Sequence, residues 1–275
     1  MIQERAPIGI FDSGYGGLTV FKEISALLPQ YDYIYLGDNA RVPYGTRSFE
    51  TVYHYTLECV NQLFGMGCRL VILACNTASA KALRSIQQND LPRLDELRRV
   101  LGVIRPTAEV VGEYTQTRKV GILATPGTVS SESYVLEIAK FFPDVEVFQE
   151  ACPMWVPLVE NNEAESPGAD YFIRKNLDSL LGKCQDIDTI VLACTHYPLL
   201  INKIQKYLPS HIRIISQGGL VADSLKDYLF RHPEIETFCS EGGTTRFLTT
   251  ESCLNFEEKA AVFLGHAIRS EHVEM

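Results

Sequence analysis

Two runs of aliphatic residues, Val71-Ile72-Leu73-Ala74 and Ile190-Val191-Leu192-Ala193, carry no polar side chain on either alternating face. Strands of that composition must be covered on both sides, which is the condition of a parallel sheet under helices rather than of a sheet with one wet face. Most of the other segments that read as strands share the pattern: 8–11, 32–36, 69–74, 100–104, 120–124, 145–149, 188–193 and 212–215. Amphipathic stretches lie between them. Phe49, Val52, Tyr53, Thr56, Val60, Leu63 and Phe64 recur at helical spacing and predict one buried helix face. Repeated strand–helix alternation predicts an α/β fold with mostly parallel sheets. Near the end, 237–239 and 246–248 flank Glu241-Gly242-Gly243 and read as a hairpin, and 255–269 reads as a last helix. Tyr31, Tyr33 and Tyr35 alternate as one face of a strand does, and Trp155, the single tryptophan, reads as packing.

The chain also repeats itself. Ile8-Gly9-Ile10-Phe11, followed by Asp12-Ser13-Gly14, is matched by Val120-Gly121-Ile122-Leu123, followed by Ala124-Thr125-Pro126-Gly127. Downstream of each comes a strand ending in Ala-Cys: Ala74-Cys75-Asn76-Thr77 and Ala193-Cys194-Thr195-His196. Either copy alone is a common α/β sequence. Two copies with matching upstream partners predict two similar lobes.

With 275 residues, 46% of them hydrophobic, the chain has material for a sizeable core. Its net charge of -9 repels phosphate backbones, so nucleic acid is not the expected partner. The opening Met-Ile-Gln-Glu-Arg-Ala-Pro lacks a basic leader, and the apolar run at 8–11 is too short for a signal-peptide core. No stretch approaches the ~18 apolar residues of a membrane span. A cytoplasmic protein without a membrane partner is the expectation. A reducing compartment makes disulfides a poor default for the eight cysteines. None has CxxC spacing and no metal-ligand pattern is present, so no metal is expected. The glycines after Asp12 match neither GxxxxGK[ST] nor GxGxxG, which disfavours a nucleotide.

In open α/β sheets, ligands bind beyond the carboxyl ends of the strands. Cys75 and Cys194 both sit there, and Cys75 precedes a helix start, where exposed N–H groups favour a thiolate. Two lobes packed face to face would set the thiols against each other across a cleft. Inverting a Cα stereocentre needs a base on one face and an acid on the other, and a thiol/thiolate pair supplies both. Backbone N–H groups of the Gly-rich and Ser/Thr-rich loops could hold a carboxylate and spread the carbanion charge.

The residues that carry this chemistry also resemble a known family. Phe11-Asp12-Ser13-Gly14-Tyr15-Gly16-Gly17-Leu18-Thr19-Val20, then Gly37-Asp38-Asn39-Ala40-Arg41-Val42-Pro43-Tyr44-Gly45, Ala74-Cys75-Asn76-Thr77-Ala78-Ser79-Ala80 and Ala193-Cys194-Thr195-His196-Tyr197-Pro198-Leu199-Leu200 resemble the motifs of glutamate racemases, in family order. Cys152-Pro153 and Val156-Pro157-Leu158-Val159-Glu160 resemble it too. The resemblance implies two lobes, 1–99 plus 210–275 and 100–209, with the active site between them. It implies an isomerase that needs no cofactor, with Cys75 and Cys194 as the acid–base pair. Asp12 would assist Cys75, and His196 and Glu160 would assist Cys194. Asp12, Ser13, Pro43, Tyr44, Gly45, Asn76, Thr77, Thr195 and His196 would contact the substrate, glutamate. Family members commonly form homodimers and supply D-glutamate for peptidoglycan, hence cell shape. This chain departs from the family at Arg105-Pro106-Thr107-Ala108, where a Pro-Gly-Ala type of turn is usual, and at Ser216-Gln217-Gly218-Gly219, where an acidic residue is usual.

Other readings stay open at this stage. Asp12 alone is also an ordinary turn residue, His196 an ordinary hydrogen-bonded one, and Glu160 lies in an acidic stretch with Glu163 and Glu165 that reads equally as a solvated loop. A racemase for aspartate or another amino acid differs only in pocket shape. A two-lobed binding module predicts binding without Cα proton exchange, and a thiol redox protein predicts a Cys75–Cys194 disulfide.

Overall fold

The computed structural model describes residues 5–95 and 97–275; residues 1–4, where the leader was sought, lie outside them. Strands β1 (Ile8–Asp12), β2 (Tyr33–Gly37), β3 (Leu70–Leu73), β4 (Arg99–Gly102), β9 (Thr245–Thr249) and β10 (Ser270–His272) form a six-stranded sheet in the order β10-β9-β2-β1-β3-β4. Strands β5 (Lys119–Ala124), β6 (Glu146–Ala151), β7 (Thr189–Ala193) and β8 (Arg213–Ser216) form a four-stranded sheet in the order β6-β5-β7-β8. All these pairings are parallel. β1, β2, β3 and β7 are buried along their whole length, as their largely apolar sequence requires.

The internal repeat reappears as topology. β2-β1-β3-β4 in one sheet and β6-β5-β7-β8 in the other have the same order, with β1 equivalent to β5 and β3 to β7. In each sheet the order reverses between the strand that opens the repeat and the strand that carries Ala-Cys, and that crevice is where an open α/β sheet binds ligand. One apolar cluster runs through both halves, joining Ile10, Leu18 and Tyr35 to Leu123, Leu192 and Tyr197.

Local signals explain several elements. Ser48 caps the helix Phe49–Gly65 by accepting from Thr51 N–H, and Ser166 caps Pro167–Lys183 by accepting from Ala169 N–H. The first helix buries Val52, Thr56, Val60, Leu63 and Phe64 as its spacing predicts, and Cys59 with them, while Tyr53 is only partly buried. Phe49, at the first position, is instead half exposed and faces the Lys81 ammonium. Tyr31, Tyr33 and Tyr35 share one core face, and Trp155 is fully buried with its indole N–H on Asn176 Oδ1.

The end of the chain differs from expectation. Residues 237–239 do not pair with 246–248. Cys239 bridges Ala6, and Asp32 N–H bonds Ser240 O, so this segment joins the entrances to β1 and β2, while 246–248 lies in β9, parallel to β2. A hairpin needs only a turn between two strands, but here the neighbouring chain offers better-placed partners than the segment across the turn. The last helix is Cys253–Leu264, stopped by Gly265 in the left-handed region at φ 84°. β10 follows it, a polar edge strand tied to β9 by the Arg246–Glu271 ion pair, with no apolar pattern to announce it. The strand expected at 100–104 ends at Gly102, because Ile104 opens a short helix, Ile104–Ala108.

Candidate active site

Asp12 ends β1, and Cys75 follows β3 as N-cap of the helix Asn76–Lys81, where its Sγ accepts from Ala78 N–H at 3.4 Å. The hydroxyl of Ser13 lies 3.4 Å from the same sulfur. Asp12 is 1% exposed; its Oδ2 accepts from Gly14 N–H at 2.9 Å, and its Oδ1 has no hydrogen-bond partner among the described residues. Burial raises the Asp12 carboxyl above its ordinary value, against the pull of His196 and the Gly17 and Gly14 N–H groups.

Cys194 follows β7 in the other sheet. His196 Nδ1 lies 3.9 Å from its sulfur, and His196 Nε2 lies 2.9 Å from Glu160 Oε1. Glu160 ends the helix Trp155–Glu160, with a side chain only 18% exposed, so the acidic stretch is not wholly a solvated loop. Burial opposes a charged His196, but its bonds to Cys194 and Glu160 win, and its pKa is pushed up to about 10.

The two half-sites meet. The Cys194 charge acts on Cys75, and that of His196 on Asp12. Thr19 Oγ1 donates to Thr195 O at 2.9 Å, Gly127 N–H donates to Gly45 O at 2.8 Å, and the hydroxyls of Thr77 and Thr125 lie 3.0 Å apart. Gly16 and Gly17 are small for a reason. A Cβ on Gly16 would stand 2.2 Å from Thr195 Oγ1, and one on Gly17 would stand 2.5 Å from Asp12 Cβ. Both cysteines are free thiols, as are the other six.

One expectation fails in sign. A helix N-terminus should lower the Cys75 pKa, yet burial, with the Asp12 charge beside it, pushes it up to about 12 despite the bonds from Ser13 and Ala78. Six helical residues in a closed cleft do not offset desolvation.

The remaining site residues divide. Thr77, Thr195 and Gly45 line the junction between the sheets, and Ser13 lies beside Cys75. The Tyr44 side chain turns away from it, fully buried, with its hydroxyl donating to Asp38 and its ring beside Phe11 and Tyr55; Pro43 precedes it and is not buried. The Asn76 amide is also turned away, bonded to Tyr134 and Gln217. That leaves the backbone N–H groups of Asn76 and Thr77, in the first helical turn and without helical partners, on the Cys75 side. Sequence reasoning passed over Thr125. Its signal was present, since the internal repeat places it where Ser13 stands in the first half.

The sequence profile of the Asp/Glu/Hydantoin racemase family matches residues 9–223. This chain belongs to that family. A glutamate racemase of Sulfurihydrogenibium sp. is 37% identical to this racemase-family chain over 271 residues, covering 98% of it and 97% of the relative. The crystal structure of a glutamate racemase isoform from Bacillus anthracis superposes with a TM-score of 0.89 at 34% identity, covering 99% of this chain and 98% of that one. That of Francisella tularensis glutamate racemase in complex with D-glutamate gives 0.86 at 31%, with the same coverage. The racemase family makes the chain an isomerase with parallel-sheet lobes.

Proposed function

We propose that the chain interconverts L- and D-glutamate without a cofactor, with Cys75 and Cys194 as the two proton-transfer groups, and supplies D-glutamate for peptidoglycan. The observation that carries the reading is the pair of thiols at equivalent strand ends, each with its own polar support: Ser13 and Ala78 N–H at Cys75, His196 at Cys194. The names and the bound D-glutamate of the relatives support the substrate. In one direction a thiolate takes the Cα proton, the carbanion forms, and the opposite thiol gives its proton to the other face; the reverse direction exchanges the roles. The amino-acid ammonium suits the unpartnered Asp12 Oδ1, and its positive charge favours thiolate at Cys75, which the protein alone holds protonated. First-turn N–H groups of Asn76 and Thr77 suit a carboxylate.

The test is incubation of reduced protein with L-glutamate in D2O, without additives, with L-aspartate in parallel. Deuterium entering Cα together with decay of optical rotation for glutamate is expected. Exchange and racemisation of aspartate alone would move the substrate; neither reaction in folded protein would leave a binding module.

Glu160→Gln tests the second half-site. Without the carboxylate, His196 loses a charge-assisted bond worth roughly 1.5–3 kcal/mol, or about one to two pH units. Its raised pKa should fall, so the alkaline limb of the pH–rate profile should move toward neutral pH by at least roughly one unit. An unmoved limb would remove Glu160 from the proton path.

A further inference from the structure

Segments 105–108 and 216–219 are joined in the tertiary structure by one side chain. Gln217 opens the helix Gln217–Arg231 and is 3% exposed. Its Oε1 accepts from Asn76 Nδ2 at 2.8 Å. Its Nε2 faces Tyr134 OH at 2.5 Å, Thr107 Oγ1 at 3.0 Å and Val103 O at 3.1 Å. The Tyr134 hydroxyl in turn donates to Asn76 Oδ1 at 2.6 Å, closing a ring of Asn76, Gln217 and Tyr134. Asn76, Thr107 and Tyr134 are all at most 3% exposed, so water does not compete for these bonds.

The partners come from parts of the fold that have to keep register. Asn76 is bonded to Cys75 and belongs with the six-stranded sheet. Tyr134 lies in the helix Ser133–Phe141, in one cluster with Ile122 and Val191 of the four-stranded sheet that carries Cys194. Val103 and Thr107 lie where the chain leaves β4 for the second sheet, and Gln217 lies where it leaves β8. A primary amide is the group that meets this demand, because one end accepts while the other donates. A carboxylate would bring a charge and lose the donors, and an alanine would leave buried polar groups short of partners.

We propose that Gln217 is a positioning residue, whose amide clamps the Asn76 side-chain amide against the Tyr134 helix and so sets the spacing between the Cys75 and Cys194 walls. It rests on the two-thiol reading and adds a residue that touches neither thiol. Proton delivery to the far face depends on that spacing more than proton removal at the near face does. A loosened clamp therefore lets the carbanion return to its starting face more often.

Gln217→Ala is the first variant, and Tyr134→Phe the second, since it keeps the ring packing and removes only the shared hydroxyl. Both are measured with L-glutamate in D2O, alongside thermal unfolding followed by Trp155 fluorescence. The expected result for Gln217→Ala is kcat lower by roughly ten- to a hundredfold with KM changed by less than about threefold, as misplacement of reacting groups produces. In both variants the ratio of Cα deuterium uptake with retention to uptake with inversion should rise above wild type. A merely structural role lowers the melting temperature and the amount of active protein but leaves that ratio where it was. If Gln217→Ala does not fold, Tyr134→Phe decides. Wild-type racemisation with an unchanged ratio in the folded variants overturns this inference alone; absence of both reactions in the wild type overturns the racemase reading and this inference with it.

Discussion

Cys75→Ser and Cys194→Ser are each expected to fold and to lose racemisation by about 10³-fold or more, the upper part of the range for losing a general acid–base group. Serine keeps the shape of the site. At position 75 it can still accept from Ala78 N–H, and serine is a strong N-cap, so stability should change by no more than about 1 kcal/mol. What serine cannot do is hold and release a proton near neutral pH. The repeat in topology adds a sharper expectation. Each variant keeps one competent thiol, so each should still exchange the Cα proton of one enantiomer, and the two variants should prefer opposite enantiomers. Circular dichroism follows racemisation and proton NMR in D2O follows exchange. Full racemisation by either variant would sink the two-thiol assignment, and the same enantiomer preference in both would sink the two-face arrangement.

Gly16→Ala should be nearly as damaging, although the residue has no functional group. The added carbon would stand 2.2 Å from Thr195 Oγ1 and 2.3 Å from His196 Nδ1, far inside van der Waals contact. Neither neighbour can step aside freely. Thr195 O is held by Thr19, and His196 lies between Cys194 and Glu160. The loop or the Cys194 segment must shift, and a displacement near 1 Å costs about 10²-fold in rate, with roughly 1–3 kcal/mol of stability lost to overpacking. Gly182→Ala is the control. Gly182 lies in the last turn of the helix Pro167–Lys183 with nothing within 4 Å of a new Cβ, so Gly182→Ala should keep full activity and lose no stability. Comparable activity in the two variants would show that the Gly16 loop is not pressed on the second half-site as described.

The duplicated sequence and the conserved strand order of the two sheets tell the same story at two levels. A strand that reads as buried on both faces can be recognised from its own residues, and its carboxyl end is then a ligand edge by construction. Asp12, Ser13, Cys75, Thr125 and Cys194 all take their places from that rule. Glu160 is a different case. Sequence alone left it between a proton-transfer helper and a solvated residue, and only the approach of the helix Trp155–Glu160 to His196 puts its carboxylate on the imidazole. Tyr44 and Asn76 are different again. Their motifs are legible, but which way the side chains point follows from Asp38 on one side and from Tyr134 and Gln217 on the other.

The sequence by itself determined the α/β class, the parallel pairing implied by strands apolar on both faces, the twofold repeat, and the two cysteines at its equivalent strand ends. These depend on local composition and short-range order, which any stretch of chain displays. Only the tertiary structure decided the rest. It turned the expected hairpin at 237–248 into links with β1 and β2, and added the polar edge strand β10. It reversed the expected shift of the Cys75 thiol, because burial in a closed cleft is a property of everything packed around a group. It also gathered Asn76, Thr107, Tyr134 and Gln217 into one buried network, because hydrogen bonds between distant segments arise only when the sheets are already packed and water is gone.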